Sequence, residues 1–213
     1  MSGTGLYGRN AELDAIAQAV DAVARGGRSL VVLRGEAGIG KTRLLMALRE
    51  QAGAQGFVVL EGRASELEHD IPLVPVLDAL AARLPDADVL AGLGPERLGL
   101  LAEVLPAIGV ASSGGERWRL YRALGDLLAL IAAGRPLLLV VDDLHWADGA
   151  TQELLEHLVR RPPGDSLLVA CGARPGPAAE RLIAACAAGG AFGVTALNLA
   201  PLDRAAADAL LEP

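Results

Sequence analysis

The stretch GEAGIGKT at residues 35–42 places Gly35, Gly40, Lys41 and Thr42 at the spacing G-x-x-x-x-G-K-[ST]. Glycines there let the backbone curl until successive N–H groups face one centre, which suits phosphate oxygens. A helix beginning near Lys41 adds the partial positive charge of its N-terminus. Lys41 is the only lysine in the chain, every other cationic side chain except histidine being arginine. The position calls for a compact ammonium on a flexible stem, able to lie along the loop and reach β- and γ-phosphates. The wide planar fork of an arginine would not fit the same space. Nucleotide contact is therefore expected at Gly35, Glu36, Ala37, Gly38, Ile39, Gly40, Lys41, Thr42 and Arg43, with the Thr42 hydroxyl on Mg²⁺. The bland alternative is a glycine-rich turn with an incidental lysine. The apolar run before it and the helical pattern after it weigh against that.

The second stretch is LLLVVDDLHWAD at 137–148. Five apolar residues followed at once by two acids place Asp142 and Asp143 at the carboxyl end of a buried strand, where such sheets bind ligands. Asp142 can hold Mg²⁺ through water, and Asp143 can orient or deprotonate an attacking water. A strand-to-turn junction also favours Asp, so this signal is weak without the loop. Arg174 closes another apolar run and can stabilise or sense a γ-phosphate, which makes Lys41, Asp143 and Arg174 the catalytic candidates. Asp148 reads as a helix N-cap. His145 has no second ligand near it that would make it a metal site, and His69 and His157 read as surface residues. Cys171 and Cys186 read as small buried hydrophobes.

The elements that must position these groups are legible in outline. Five continuous apolar runs, at 29–35, 57–63, 137–143, 166–174 and 194–199, suit strands buried on both faces. Helical patterns follow at 10–27, 41–53, 116–134 and 149–161, the first with Leu13, Ile16, Val20 and Val23 in register. Strands alternating with helices predict an α/β doubly wound domain. Residues 84–115, with prolines at 85, 95 and 106, read as short helices and loops inserted between helix and strand. A helix begins at 202–204 and stops at Pro213 before it has anything to pack against. The expected division is thus one α/β nucleotide-binding domain over 1–202 and a cut helix over 203–213.

At 52% hydrophobic but only 3% aromatic, the core must be built of Leu, Val and Ala. The net charge of −7 and the lack of a basic stripe argue against direct DNA binding by this segment. No run is long enough for a membrane span, and the start MSGTGLYGRN lacks the apolar core of a signal peptide. A cytoplasmic location is expected.

Taken together, LYGRNAEL, LRGEAGIGKTRLL, LLLVVDDLHWAD and CGARP resemble the signalling ATPases with numerous domains (STAND), a branch of the AAA+-like P-loop proteins. Within that branch the chain is most similar to the nucleotide-binding domain of large ATP-binding LuxR-type transcriptional regulators, from about residue 6 to 205. The resemblance implies a P-loop NTPase three-layer α/β/α sandwich with a mostly parallel five-stranded sheet of order 5-1-4-3-2. It implies that Tyr7, Gly8 and Arg9 lie beside the adenine. It further implies a P-loop ATPase domain over 1–202, the start of a C-terminal helical lid over 203–213, and sensor repeats and a helix-turn-helix elsewhere in the full protein. One departure is that many AAA+ relatives carry Glu where this chain has Asp143, and the shorter acid points to slow turnover.

The leading expectation is therefore a slowly hydrolysing ATP/ADP switch in transcription regulation, using Mg²⁺ and open to nucleotide-dependent self-association. The alternatives are a P-loop small-molecule kinase and a nucleotide-holding module without turnover. Arg97 is the one arginine between residues 84 and 115, which counts against an arginine-rich kinase lid.

Overall fold

The computed structural model describes residues 8–81, 83, 90–104, 114–190 and 192–201. Within them lie five strands and seven α-helices. The order is α1 (Asn10–Ala24), β1 (Arg28–Arg34), α2 (Lys41–Ala54), β2 (Val58–Arg63), α3 (Val74–Ala81), α4 (Pro95–Val104), α5 (Gly114–Ala132), β3 (Leu137–Asp142), α6 (Gly149–Arg160), β4 (Leu167–Ala173), α7 (Pro177–Gly189) and β5 (Gly193–Asn198). The expected strands thus occur, with edges within a residue of the apolar runs.

All four strand pairings are parallel, and the sheet order is β2-β3-β4-β1-β5. Read from the other edge this is 5-1-4-3-2, the expected three-layer P-loop arrangement. The continuous apolar runs serve two layers by strand alternation. Leu30, Val32, Leu139, Val141 and Val169 face a core shared with α3, α5, α6 and α7. Val31, Leu33, Leu138, Val140 and Leu168 face a second core with α1 and α2. Helix α1 buries Ile16, Ala19, Val20 and Val23, one stripe at three- and four-residue spacing.

Because the strands are parallel, their carboxyl ends share one edge. The register sets Arg34 of β1 against Ala173 of β4 and Arg63 of β2 against Asp142 of β3. Both chemical stretches therefore emerge on the same rim.

Helices α3 and α7 were not among the expected helical patterns. Their signals are short: α7 buries Ala179, Leu182, Ala185 and Cys186, mostly small residues that stand out little in an alanine-rich chain. His157 departs from its surface reading. It is buried, packs edge-on against Trp118 with ring centroids 4.6 Å apart, and lies 6.0 Å from the Tyr121 ring. Both cysteines are buried and unpaired. Burial pushes the Cys186 thiol up to about 11 and the Cys171 thiol higher still, so both act as inert packing groups. No helix among the described residues is long and apolar enough to cross a membrane. Tyr7 and residues 203–213, where the lid was expected, lie outside the described residues.

Candidate functional site

The phosphate-loop candidate runs from the end of β1 to the start of α2. Gly38 and Gly40 take φ of 75° and 105°, left-handed values that side-chain-bearing residues rarely adopt. Gly40 is the residue from which α2 starts. Lys41 folds back along the loop, its Nζ donating to the carbonyls of Gly35 and Glu36 at 2.8 Å each. It is only 6% exposed, so its charge is held close beneath the loop.

Thr42, one residue into the helix, reaches across to β3. Its Oγ1 donates to Asp142 Oδ2 at 2.6 Å, while Asp142 Oδ1 accepts the Asp143 backbone N–H at 2.9 Å. Asp142 is 5% exposed. Gly172 of β4 makes room for it: a Cβ there would lie 2.3 Å from Asp142 Oδ1 and 3.2 Å from Leu45 Cδ1. The absence of a side chain at residue 172 is thus what lets the carboxylate sit against Thr42.

Asp143 follows with φ 54° and opens a short 3₁₀ turn at Leu144–Trp146. The left-handed turn sends its carboxylate sideways to the next strand. Arg63, the last residue of β2, donates to Asp143 Oδ2 through Nε at 3.0 Å and Nη2 at 2.9 Å. Hydrogen bonding and charge from Asp143 raise the Arg63 pKa above its ordinary value.

Across the rim, the Arg174 backbone N–H is directed at His145 Nδ1 at 3.5 Å, and its guanidinium lies 5.8 Å from the Trp146 ring centre. His145 Nε2 is buried and has no protein partner. Burial, then the charges of Arg174 and Lys41, lower the His145 pKa against the opposing pull of Asp143 and Asp142.

These groups border one open cavity of about 420 Å³, lined by Gly38, Gly40, Lys41, Thr42, Arg63, Asp143, His145 and Arg174, with Ala37, Arg43 and Trp146. Four cations and one carboxylate line it, in a chain of net charge −7. That local reversal of sign suits a polyphosphate. Thr42 Oγ1 and Asp142 Oδ2 form a hard-oxygen pair that could hold Mg²⁺. No group of three or more His, Cys, Asp or Glu able to hold a metal by themselves occurs among the described residues.

The other expected residues fall as follows. Ile39 packs at the margin of the α1–α2 core, and Glu36 is exposed. Gly8 sits in a turn with φ 69°. Arg9 is 6% exposed and clamps the scaffold: Nη2 donates to the carbonyls of Ile39 (3.2 Å) and Ala200 (2.7 Å), and Nη1 pairs with Glu12 at 2.9 Å. It thereby ties the loop to α1 and to the segment after β5. Arg63 and Gly172 were not found from sequence. Arg63 ends an apolar run one strand from the acids, and Gly172 lies in the CGARP stretch, so each had a positional signal that was not read.

Fold and rim together define a P-loop nucleotide-binding domain. The chain belongs to the AAA ATPase domain family, whose model matches residues 5–170. It is 30% identical over 218 aligned positions to an uncharacterized protein of Rhizobium meliloti strain 1021, covering 93% of this chain and 20% of that protein. The chain thus spans about a fifth of that relative's length. Among solved structures it resembles the Aeropyrum pernix ORC1 protein in complex with DNA, at TM-score 0.54 and 21% identity, over 97% of this chain and 48% of that one. It also resembles the Aeropyrum pernix ORC2 protein in its ADPNP–ADP complexes, at TM-score 0.52 and 17% identity, over 92% and 49%. At such identities the shared property is the fold.

Proposed function

We propose that this domain is a slowly hydrolysing ATP/ADP switch within a larger signalling ATPase, with a LuxR-type transcriptional regulator as the whole protein. The observation that carries the switch reading is the Thr42–Asp142 contact beneath a lysine-bearing loop, on a rim where four cations line the cavity.

In this reading the loop backbone and Lys41 hold the phosphates, and Thr42 with Asp142 holds Mg²⁺. The bound metal would neutralise charge on the β- and γ-oxygens. Arg174, which lines the same cavity, would meet the terminal phosphate, and Asp143 is the acid that would orient water. Arg63 engages that acid, which restrains it and favours slow turnover. The short reach of Asp143 acts in the same direction. Arg9 anchors the loop to α1 and to the segment after β5, a route by which loop occupancy would reach neighbouring domains.

The LuxR-type assignment rests on the resemblance of the sequence stretches, and the acidic charge supports a fragment that does not itself grip DNA. The test is calorimetry with ADP and ATP alongside phosphate release, with and without candidate acceptors. Micromolar-range binding with slow, acceptor-independent release supports the switch. Acceptor-dependent transfer would make it a kinase, and binding with no release would make it a holding module.

A further inference from the structure

Two surface features outside the lining of the nucleotide cavity complement one another. The first is a knob. After β2 a 3₁₀ turn at Glu66–Glu68 presents Leu67 with 93% of its surface exposed, and Ile71 nearby is 36% exposed. The turn is ordered rather than loose. Ser65 Oγ accepts the Leu67 N–H at 3.3 Å, the Ala64 N–H donates to the Asp142 carbonyl at 3.0 Å, and the Leu73 N–H donates to Asp148 Oδ2 at 3.1 Å. Glu66, Glu68 and Asp70 flank Leu67 in sequence and are all exposed. Among the described residues Glu66 and Glu68 have no ion-pair partner, and Asp70 has only the His69 ring, at 3.3 Å.

The second is a socket of about 460 Å³ between the turn Ala91–Leu93, the start of α4 and the middle of α5. Leu93 and Leu100 supply apolar lining, Arg97, Arg119 and Arg122 supply cations, and Glu96 is the one carboxylate in its wall. Arg119 pairs with Glu96, and Arg97 with Asp126 at 2.6 Å. Both pairs are broadly exposed to water, so they are weakly held and open to exchange of partners. Arg122 makes no ion pair or hydrogen bond among the described residues.

We propose that the knob of one copy of this chain seats in the socket of a second copy, Leu67 against Leu93 and Leu100, with its flanking acids among the three arginines. A lone exposed leucine is ordinary on a protein surface. Here acidic residues flank it in sequence, and a recess that holds two leucines and three arginines lies on the same chain. Two copies of net charge −7 repel at long range, so a local reversal of sign is what would fix their register. The contact is small by the standard of stable interfaces, so association is weak and rises with concentration. None of this requires bound nucleotide.

The experiment is sedimentation velocity from about 10 to about 500 µM, a range suited to micromolar-to-millimolar contacts, on the parent, Leu67→Asp and Arg122→Glu. Both positions are exposed, and circular dichroism checks that each variant folds. The expected result is a parent whose average mass climbs with concentration, two variants that stay at monomer mass, and an equimolar mixture of the variants that associates. The mixture works because Leu67→Asp keeps its socket and Arg122→Glu keeps its knob. A parent that stays monomeric, variants that associate like the parent, or a mixture no heavier than its components would each overturn the proposal. A monomeric parent that binds benzoate through Arg122 would assign the socket to a small organic anion instead.

Discussion

Arg63 and Asp143 stand at the ends of adjacent strands, and both Nε and Nη2 of the arginine donate to the same carboxylate oxygen, at 3.0 and 2.9 Å. One acceptor oxygen thus carries two donors, and the carboxylate offered to a water molecule is already partnered. Replacing Arg63 by Ala removes both donors. The expected outcome is a phosphate-release rate higher by about two- to tenfold, corresponding to roughly 0.4–1.4 kcal/mol of barrier. Affinity for ATP should fall only slightly, because Arg63 is one of four cations lining the cavity. Unchanged or slower release would show that Arg63 does not restrain the acid.

Lys41 is the most enclosed of those cations. Lys41→Ala removes a charge-assisted contact worth roughly 1.5–3 kcal/mol, so affinity for ADP and ATP should fall on the order of ten- to a hundredfold. Calorimetry on the folded variant measures it. Equal affinity in parent and variant would remove the phosphate-cradle reading.

What could be read from the chain differed by the range of the information needed. The loop at 35–42 and Asp142 are local signals, since a strand, a turn and a helix start lie within a few residues of one another. The alternation of β3 and β4 side chains between two cores leaves no local sign of which strands are neighbours, so the sheet order came from resemblance to a family. Arg63 meets Asp143 only because β2 and β3 pair in the register that sets Arg63 against Asp142. His157 looked exposed because its helix carries Glu153, Glu156 and Arg160. Its cover is Trp118 on α5, far away in sequence. Gly172 became meaningful only once Asp142 was seen to occupy the space a Cβ would take.

That occupancy makes Gly172 a sharp test of metal positioning. Gly172→Ala sets a methyl 2.3 Å from Asp142 Oδ1 and 3.2 Å from Leu45 Cδ1, so the carboxylate is expected to shift from its contact with Thr42. Magnesium-dependent enhancement of nucleotide affinity should drop at least several-fold, as it should for Asp142→Asn, while metal-free binding changes less. Titrating nucleotide with and without Mg²⁺ separates the two components. An alanine variant that keeps the full magnesium effect would mean Asp142 does not hold the ion.

The buried His157 and half-buried His145 imidazoles predict an acid-side loss of stability. Burial is the first cause lowering the His157 pKa below its ordinary 6.5, followed by the charges of Arg161 and Arg122. His145 shifts in the same direction. A group with a depressed folded pKa binds its proton more readily when unfolded. Its stabilisation is therefore present above about pH 6.5 and is lost as pH falls through the lower folded value. Thermal midpoints from about pH 7 to about pH 5 should fall more steeply for the parent than for His157→Gln, which cannot take up a proton. Parallel slopes would indicate that His157 titrates alike in both states.

Asp143→Asn distinguishes a catalytic acid from a merely structural one. The amide keeps the size of the side chain and retains an oxygen that can accept from Arg63, so the rim should hold its shape. It removes the negative charge and the basicity that an attacking water needs. The Mg²⁺ contact belongs to Asp142, which stays in place through Thr42 and the Asp143 backbone N–H. ATP affinity, with and without Mg²⁺, should therefore remain within about threefold of the parent, a difference under about 0.7 kcal/mol. Phosphate release should fall to background in single-turnover measurements, and the variant should stay loaded with ATP. Combining it with Arg63→Ala makes the comparison stricter, since freeing the side chain should accelerate the parent acid and do nothing for the amide. If Asp143→Asn releases phosphate as fast as the parent, this carboxylate is not the water-orienting group, and the rim holds nucleotide without a catalytic acid at that position.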